Sequence, residues 1–182
     1  MSTPYETASV RVPGGEVVVV VDPDDGAVVA AGFGDLDYTF AFLTAAEQAR
    51  GHVPAEPGST VVRPAVEALR AYADGELAAL DTVLVRQPGG PFMQRSWQEL
   101  RGVKAGETDS YAGLAERAGS ATAVRAAGQA CARNKVAPFV PCHRILRTDG
   151  SLGGYAYGLP VKQALLEHEG ALTAPEQQQL AL

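Results

Sequence analysis

The run Arg86-Gln87-Pro88-Gly89-Gly90-Pro91 constrains this chain most, because prolines and glycines placed so closely deny the hydrogen bonds of both helix and sheet. The segments on its two sides carry different periodicities. Before it, residues 9–12 and 16–21 flank the turn-forming Pro13-Gly14-Gly15, and Asp22-Pro23-Asp24-Asp25-Gly26 separates the second run from residues 27–32, the pattern of a small antiparallel meander. Helices are predicted over 40–48 and over 65–73, the latter with Val66, Leu69 and Ala73 on one face and Asp74-Gly75 at its end; residues 51–59 have loop composition. After the break the spacing turns helical. Residues 92–100 place Phe92, Ser96, Trp97 and Leu100 on one side, and Ser110 caps a helix through Ala118 that Gly119 stops. Ser120 or Thr122 opens the next helix, running to about Arg133, and a last helix over 160–169 starts with a favourable proline and ends at Gly170. The expected architecture is an α/β N-terminal domain with a small antiparallel sheet, residues 1–88, and a mostly α C-terminal domain with a helix-turn-helix, residues 89–182.

Charge narrows the partners. The net charge is −6, yet residues 1–90 carry five Lys and Arg against 13 Asp and Glu, whereas residues 101–147 carry eight against three. A polyanion is therefore expected to bind between Arg101 and Arg147. A composition 46% hydrophobic and 20% charged excludes disordered and fibrous classes. The longest strongly apolar stretches, about 17–21 and 27–31, fall short of a membrane span, and residues 1–10 lack the pattern of a secretory leader. A cytoplasmic protein with no membrane partner is expected. Two cysteines, Cys131 and Cys142, are too few for a disulfide framework, and a reducing compartment keeps both as thiols.

The chemistry centres on Cys142, which follows the apolar run 136–140. A thiol attacks well only as thiolate, so a catalytic Cys142 needs a base or a positive field beside it. His143 is adjacent, but neighbours on an extended chain point to opposite sides, and coupling the two requires a turn at Cys142 or a bridging water. On these residues alone the Cys-His pair is either structural or catalytic. Glu169 is either a solvated helix-end charge or the carboxylate that orients His143. The helix after Gly119 is nearly without bulk, with Ala121, Ala123, Ala126, Ala127, Gly128 and Ala130, and Arg125 projects from that smooth face. Cys131, on the same helix, is expected to serve packing.

Together these residues resemble the O6-alkylguanine-DNA alkyltransferases, also called methylated-DNA–protein-cysteine methyltransferases, specifically over about residues 92–172 and faintly before. Val140-Pro141-Cys142-His143-Arg144-Ile145 matches the active-site signature of that family. Gly106, Ser110-Tyr111 and Leu114-Ala115 match its G-x-x-x-S-Y-x-x-L-A run, and Arg125, Ala126, Gly128 and Asn134 follow at family spacing. Gly153-x-Tyr155, Gly158-Leu159, Lys162, Leu165-Leu166 and His168-Glu169-Gly170 complete the match.

The resemblance implies irreversible, stoichiometric transfer of an alkyl group from O6 of guanine in duplex DNA, and less well from O4 of thymine, to Cys142 after the base is flipped out through the minor groove. It implies that His143 draws the thiol proton through a water, that Glu169 holds the imidazole, that Tyr111 protonates the departing guanine and that Asn134 braces the turn. It further implies a DNA-binding set of Arg125, Ala126, Gly128, Ser120 and Thr122, with Arg125 filling the gap left by the base, and a pocket of Tyr155, Ala156, Val140 and Ile145. No cofactor is implied. Some relatives hold zinc through N-terminal Cys and His, but residues 1–90 contain only His52, so no metal is expected. The partner is alkylated double-stranded DNA, met by a monomer or by copies clustered on the DNA. Lys104 and Lys135 stand where many relatives have proline, and Ala156 where several have serine.

Overall fold

The computed structural model describes residues 3–172. Strand β1 (Tyr5–Val12), β2 (Gly15–Val21) and β3 (Val28–Phe33) form the antiparallel meander, paired from Glu6 with Val21 to Val12 with Gly15 and from Val17 with Phe33 to Val21 with Val28. A fourth strand, β4 (His52–Pro54), lies in the stretch expected to be loop and joins the free edge of β1 in parallel, so the sheet is mixed, ordered β3-β2-β1-β4. Its pairing is long-range, with Tyr5 N–H donating to Gly51 O and Ala55 N–H to Thr7 O, which local turn composition does not reveal.

Side chains alternate across a strand, and both faces of the central strands are covered. Val17, Val19 and Val21 pack with the helix α3 (Arg63–Ala73), whereas Val20, Val29 and Ala30 pack with Tyr5, Leu43 and the first helical segments. Those segments are two short helices, α1 (Leu36–Phe40) and α2 (Ala45–Gln48), in place of the single helix expected over 40–48. Thr44 causes the break. It forms a capping box with Glu47, which starts a new helix instead of continuing an old one. On α3 the buried positions are Ala65, Ala68, Leu69 and Tyr72, a stripe displaced from the Val66-Leu69-Ala73 face expected. A 3-10 turn over Leu77–Thr82 then leads into the Pro-Gly break.

The second part is helical. Helix α4 (Pro91–Gly102) buries Ser96, Trp97 and Leu100, and the Trp97 indole donates to Ala130 O at 2.9 Å. Helix α5 (Tyr111–Arg117) is capped by Ser110, whose Oγ accepts from Gly113 N–H at 3.0 Å. Helix α6 (Val124–Ala132) starts later than expected. Ala123 occupies its cap position without a side-chain bond, and residues 120–123 form a turn in which Ala123 N–H donates to Ser120 O. Ser120 and Thr122 therefore lie in the loop between α5 and α6. Helix α7 (Leu159–His168) ends with Glu169 at its C-cap. Strands β5 (Asp109–Ser110) and β6 (Ile145–Leu146) pair in parallel and tie the segment after Cys142 to the start of α5. One apolar core contains Val17, Leu69 and Tyr72 from before the break and Trp97, Leu114 and Leu165 from after it. The architecture is thus an α/β N-terminal part and a helical C-terminal part. Residues 173–182 of the expected C-terminal domain lie outside the described residues.

Candidate active site

Cys142 opens a 3-10 turn, Cys142–Arg144, closed by Arg144 N–H donating to Pro141 O at 3.0 Å. This is a turn at Cys142, one of the two ways expected to couple thiol and imidazole. Tyr111, Gly128, Cys131, Ala132, Gly154, Tyr155 and Ala156 line a cavity of about 320 Å³ onto which Cys142 opens. Its wall is mostly apolar and small.

Behind the sulfur the polar groups are paired almost completely. Asn134 Nδ2 donates to Val140 O at 2.7 Å and to Cys142 Sγ at 3.2 Å, while Asn134 Oδ1 accepts from Val136 N–H and from Gln87 Nε2, each at 3.2 Å. The backbone N–H of Val136 and carbonyl of Val140 fix which end of the Asn134 amide meets the sulfur. Burial pushes the Cys142 thiol above its ordinary range, and the Asn134 bond and the Lys162 charge oppose that shift. Such a thiol stays protonated until a base takes its proton.

The imidazole of His143 is held by a carboxylate. Glu169 is buried, and although burial raises its proton affinity, bonds from His143 and Arg144 hold it down at about 2. An ionised carboxylate only accepts, so His143 Nε2–H donates to Glu169 Oε1 at 2.8 Å and the imidazole keeps its lone pair on Nδ1. Among the described residues that buried Nδ1 has no hydrogen-bond partner. Burial lowers the proton affinity of His143, against the pull of Glu169. His143 thus keeps a free acceptor nitrogen on Nδ1, in the residue that follows the thiol.

Several members of this network were not assigned roles from sequence. Arg144, 1% exposed, grips Glu169 with Nε to Oε2 and Nη2 to Oε1, both 2.9 Å, and donates from Nη1 to Val103 O at 2.6 Å. Tyr72 donates its hydroxyl to Glu169 Oε1 at 2.9 Å. Lys162, fully buried, donates to the carbonyls of Ile145, Leu152 and Gly154 and clamps the loop that carries Tyr155 and Ala156. Its signals in the sequence were a lysine on an otherwise apolar helix side and its place in the family match, neither of which gave it a role. Gln87 receives the Lys135 N–H at 2.8 Å. A proline at 135 would have no N–H to make this bond.

The structure brings Tyr111, Gly128, Tyr155 and Ala156 to one cavity with Cys142, but not Val140 or Ile145. Those two are 1% and 0% exposed, pack in the core and act through their carbonyls, which bond Asn134 and Lys162. Cys131 joins the cavity wall. Gly128 stands beside the Tyr111 ring, whereas Arg125 and Ala126 are exposed on the outer face of α6. Gly153 has positive φ, and a Cβ there would sit 3.2 Å from Tyr111 Oη, so glycine leaves that hydroxyl its space. Of the eight cations between 101 and 147, Arg144 is buried, Arg117 pairs with Glu99 and Asp109, and Arg101 is bound to the carbonyls of Asp81 and Val83. Arg125, Arg133 and Arg147 remain exposed near the cavity mouth and its helix.

Residues 91–171 match a family model described as the DNA-binding domain of 6-O-methylguanine DNA methyltransferase. A methylated-DNA–protein-cysteine methyltransferase of Mycobacterium tuberculosis is 38% identical over 150 residues, 82% of this chain and 89% of its own. The crystal structure of the M. tuberculosis protein in complex with DNA aligns with a TM-score of 0.71 at 29% identity, covering 98% of this chain and 99% of that one. An O6-methylguanine-DNA methyltransferase from Pyrococcus kodakaraensis KOD1 aligns with a TM-score of 0.63 at 25% identity, covering 91% and 99%.

Proposed function

This chain belongs to the methylated-DNA–protein-cysteine methyltransferase family, and from that premise we propose that Cys142 accepts one alkyl group from O6-alkylguanine in duplex DNA and is consumed by it. The protein is a methylated-DNA–[protein]-cysteine S-methyltransferase and repairs alkylated DNA. The observation that carries the assignment to Cys142 is its sulfur, held by Asn134 at the wall of the cavity with the neutral His143 imidazole next in the chain and Glu169 behind it. The thiol proton passes through a water to His143 Nδ1, sulfur bonds to the alkyl carbon, and the carbon–O6 bond breaks. Tyr111 gives its proton to the departing guanine, which leaves more easily neutral than as an anion. Burial makes Tyr111 reluctant to ionise in the resting site, so its proton is available until negative charge develops on the base. The resulting thioether has no good leaving group, and the site does not regenerate.

The base lies inside the duplex and has to be rotated out. Arg125, exposed on α6 among Ala126 and other small residues, fills the gap it leaves, while the hydroxyls of Ser120 and Thr122 meet the backbone in the minor groove. O4-alkylthymine is accepted less well. The protein works as a monomer in the cytoplasm, where both of its free thiols stay reduced. Arg125→Ala should slow transfer from duplex by on the order of tenfold or more, since extrusion costs a few kcal/mol, and should leave transfer from a free alkylated nucleobase unchanged. Normal transfer from duplex would remove Arg125 from this role.

Counting transferred methyl groups tests the proposal as a whole. Labelled O6-methylguanine duplex in excess should load one methyl group per protein molecule and then stop. Binding without loading would make the protein a lesion-flagging module, and turnover on esters or amides would make Cys142-His143 a hydrolase pair.

A further inference from the structure

Tyr72 carries the N-terminal part of the chain to the carboxylate behind His143. Tyr72, fully buried near the end of α3, sends its hydroxyl to Glu169 Oε1 at 2.9 Å. Its place is fixed twice more from α7. His168 Nε2 lies 2.7 Å from Tyr72 O, and the two rings meet edge to face at 5.0 Å. Oε1 of Glu169 thus accepts from three donors, the Tyr72 hydroxyl, His143 Nε2 and Arg144 Nη2, while Oε2 accepts from Arg144 Nε.

We infer that Tyr72 is a positioning residue for the base: its hydroxyl takes up part of the Glu169 charge and so keeps His143 neutral. The inference rests on the reading of Cys142 as acceptor and His143 as its base. A carboxylate in a dry site stabilises a neighbouring imidazolium strongly, and an imidazole already charged accepts no proton from the thiol. Each further donor on the carboxylate weakens that pull. Besides Glu169, the charged or titratable groups facing His143 are Arg144 in its own turn, Lys162 from α7 and the Cys142 thiol, and Tyr155 and Tyr72 face Glu169. Arg144 and Lys162 both disfavour the imidazolium, as does burial. Tyr72 belongs with them, acting on His143 through Glu169.

Tyr72→Phe keeps the ring against His168 and removes only the donor. The acid limb of the transfer rate should move to higher pH, by about half a unit or more, with the rate at the alkaline plateau within about threefold of wild type. Fluorotyrosine at position 72, a stronger donor of the same shape, should move the limb the other way. An unmoved limb in both proteins, with a loss of thermal stability alone, would make Tyr72 a packing residue and overturn the inference. Titrating the His143 imidazole by NMR without DNA decides the matter independently of transfer. A higher value in Tyr72→Phe supports the role, an equal one overturns it, and failure of the wild-type protein to accept methyl groups would fall on the proposed function instead.

Discussion

Cys142→Ala should bind duplex DNA carrying O6-methylguanine at close to wild-type affinity and accept no alkyl group. The sulfur is the only atom lost that touches the cavity, and a side chain this small leaves little to collapse, so the structural cost should be about 1 kcal/mol. What disappears is the nucleophile. No neighbour replaces it: Cys131 shares the wall, but burial pushes its thiol far above the ordinary range, and a thiol without a base does not attack. Fluorescence anisotropy with lesion duplex reads the binding, and transfer of labelled methyl reads the chemistry. Residual transfer above a thousandth of the wild-type rate would place the acceptor elsewhere.

Glu169→Ala should cost about 3 to 5 kcal/mol of stability as well as most of the activity, because breaking a buried ion pair leaves a charge with no counterpart. The Arg144 guanidinium, 1% exposed, would keep only its bond to Val103 O, and the Tyr72 hydroxyl and His143 Nε2–H would lose their acceptor. Chemical denaturation of the two proteins measures the difference. A loss below about 1 kcal/mol would mean that water reaches Arg144 once the carboxylate is gone. The same carboxylate makes stability depend on acid. Its folded value of about 2 lies below the ordinary 4.5, so the unfolded chain takes up the proton first as pH falls. The contribution is whole above about pH 4.5 and fades as pH drops toward 2, and the denaturation midpoint of Glu169→Gln should fall less over that window than that of wild type.

Local signals carried much of this in the sequence. Ser110 caps α5 as its spacing required, and Tyr111 and Tyr155 share a cavity with Cys142, whose sulfur Asn134 bonds. Other features depended on partners far along the chain. Nothing near Tyr72 announces that Glu169, 97 residues later, needs a donor, and nothing near Arg144 says that it faces inward instead of joining a basic surface. The fourth strand was missed for the same reason, being made by pairing with Tyr5–Val12 and not by its own composition. The resemblance implied Val140 and Ile145 in the pocket, but the 3-10 turn directs them into the core and leaves their carbonyls as the useful groups. Ser120 and Thr122 have the chemistry of helix caps, yet the turn they occupy delays α6 until Val124.

The central claim is that Cys142 becomes the alkyl carrier, and the mass of the protein tests it most directly. Incubated with duplex DNA containing O6-methylguanine, the intact chain should gain the mass of one methyl group, and proteolysis should find that mass on the peptide bearing Cys142. An unchanged mass after the duplex has demonstrably bound, or a methyl group on the peptide bearing Cys131, would contradict it.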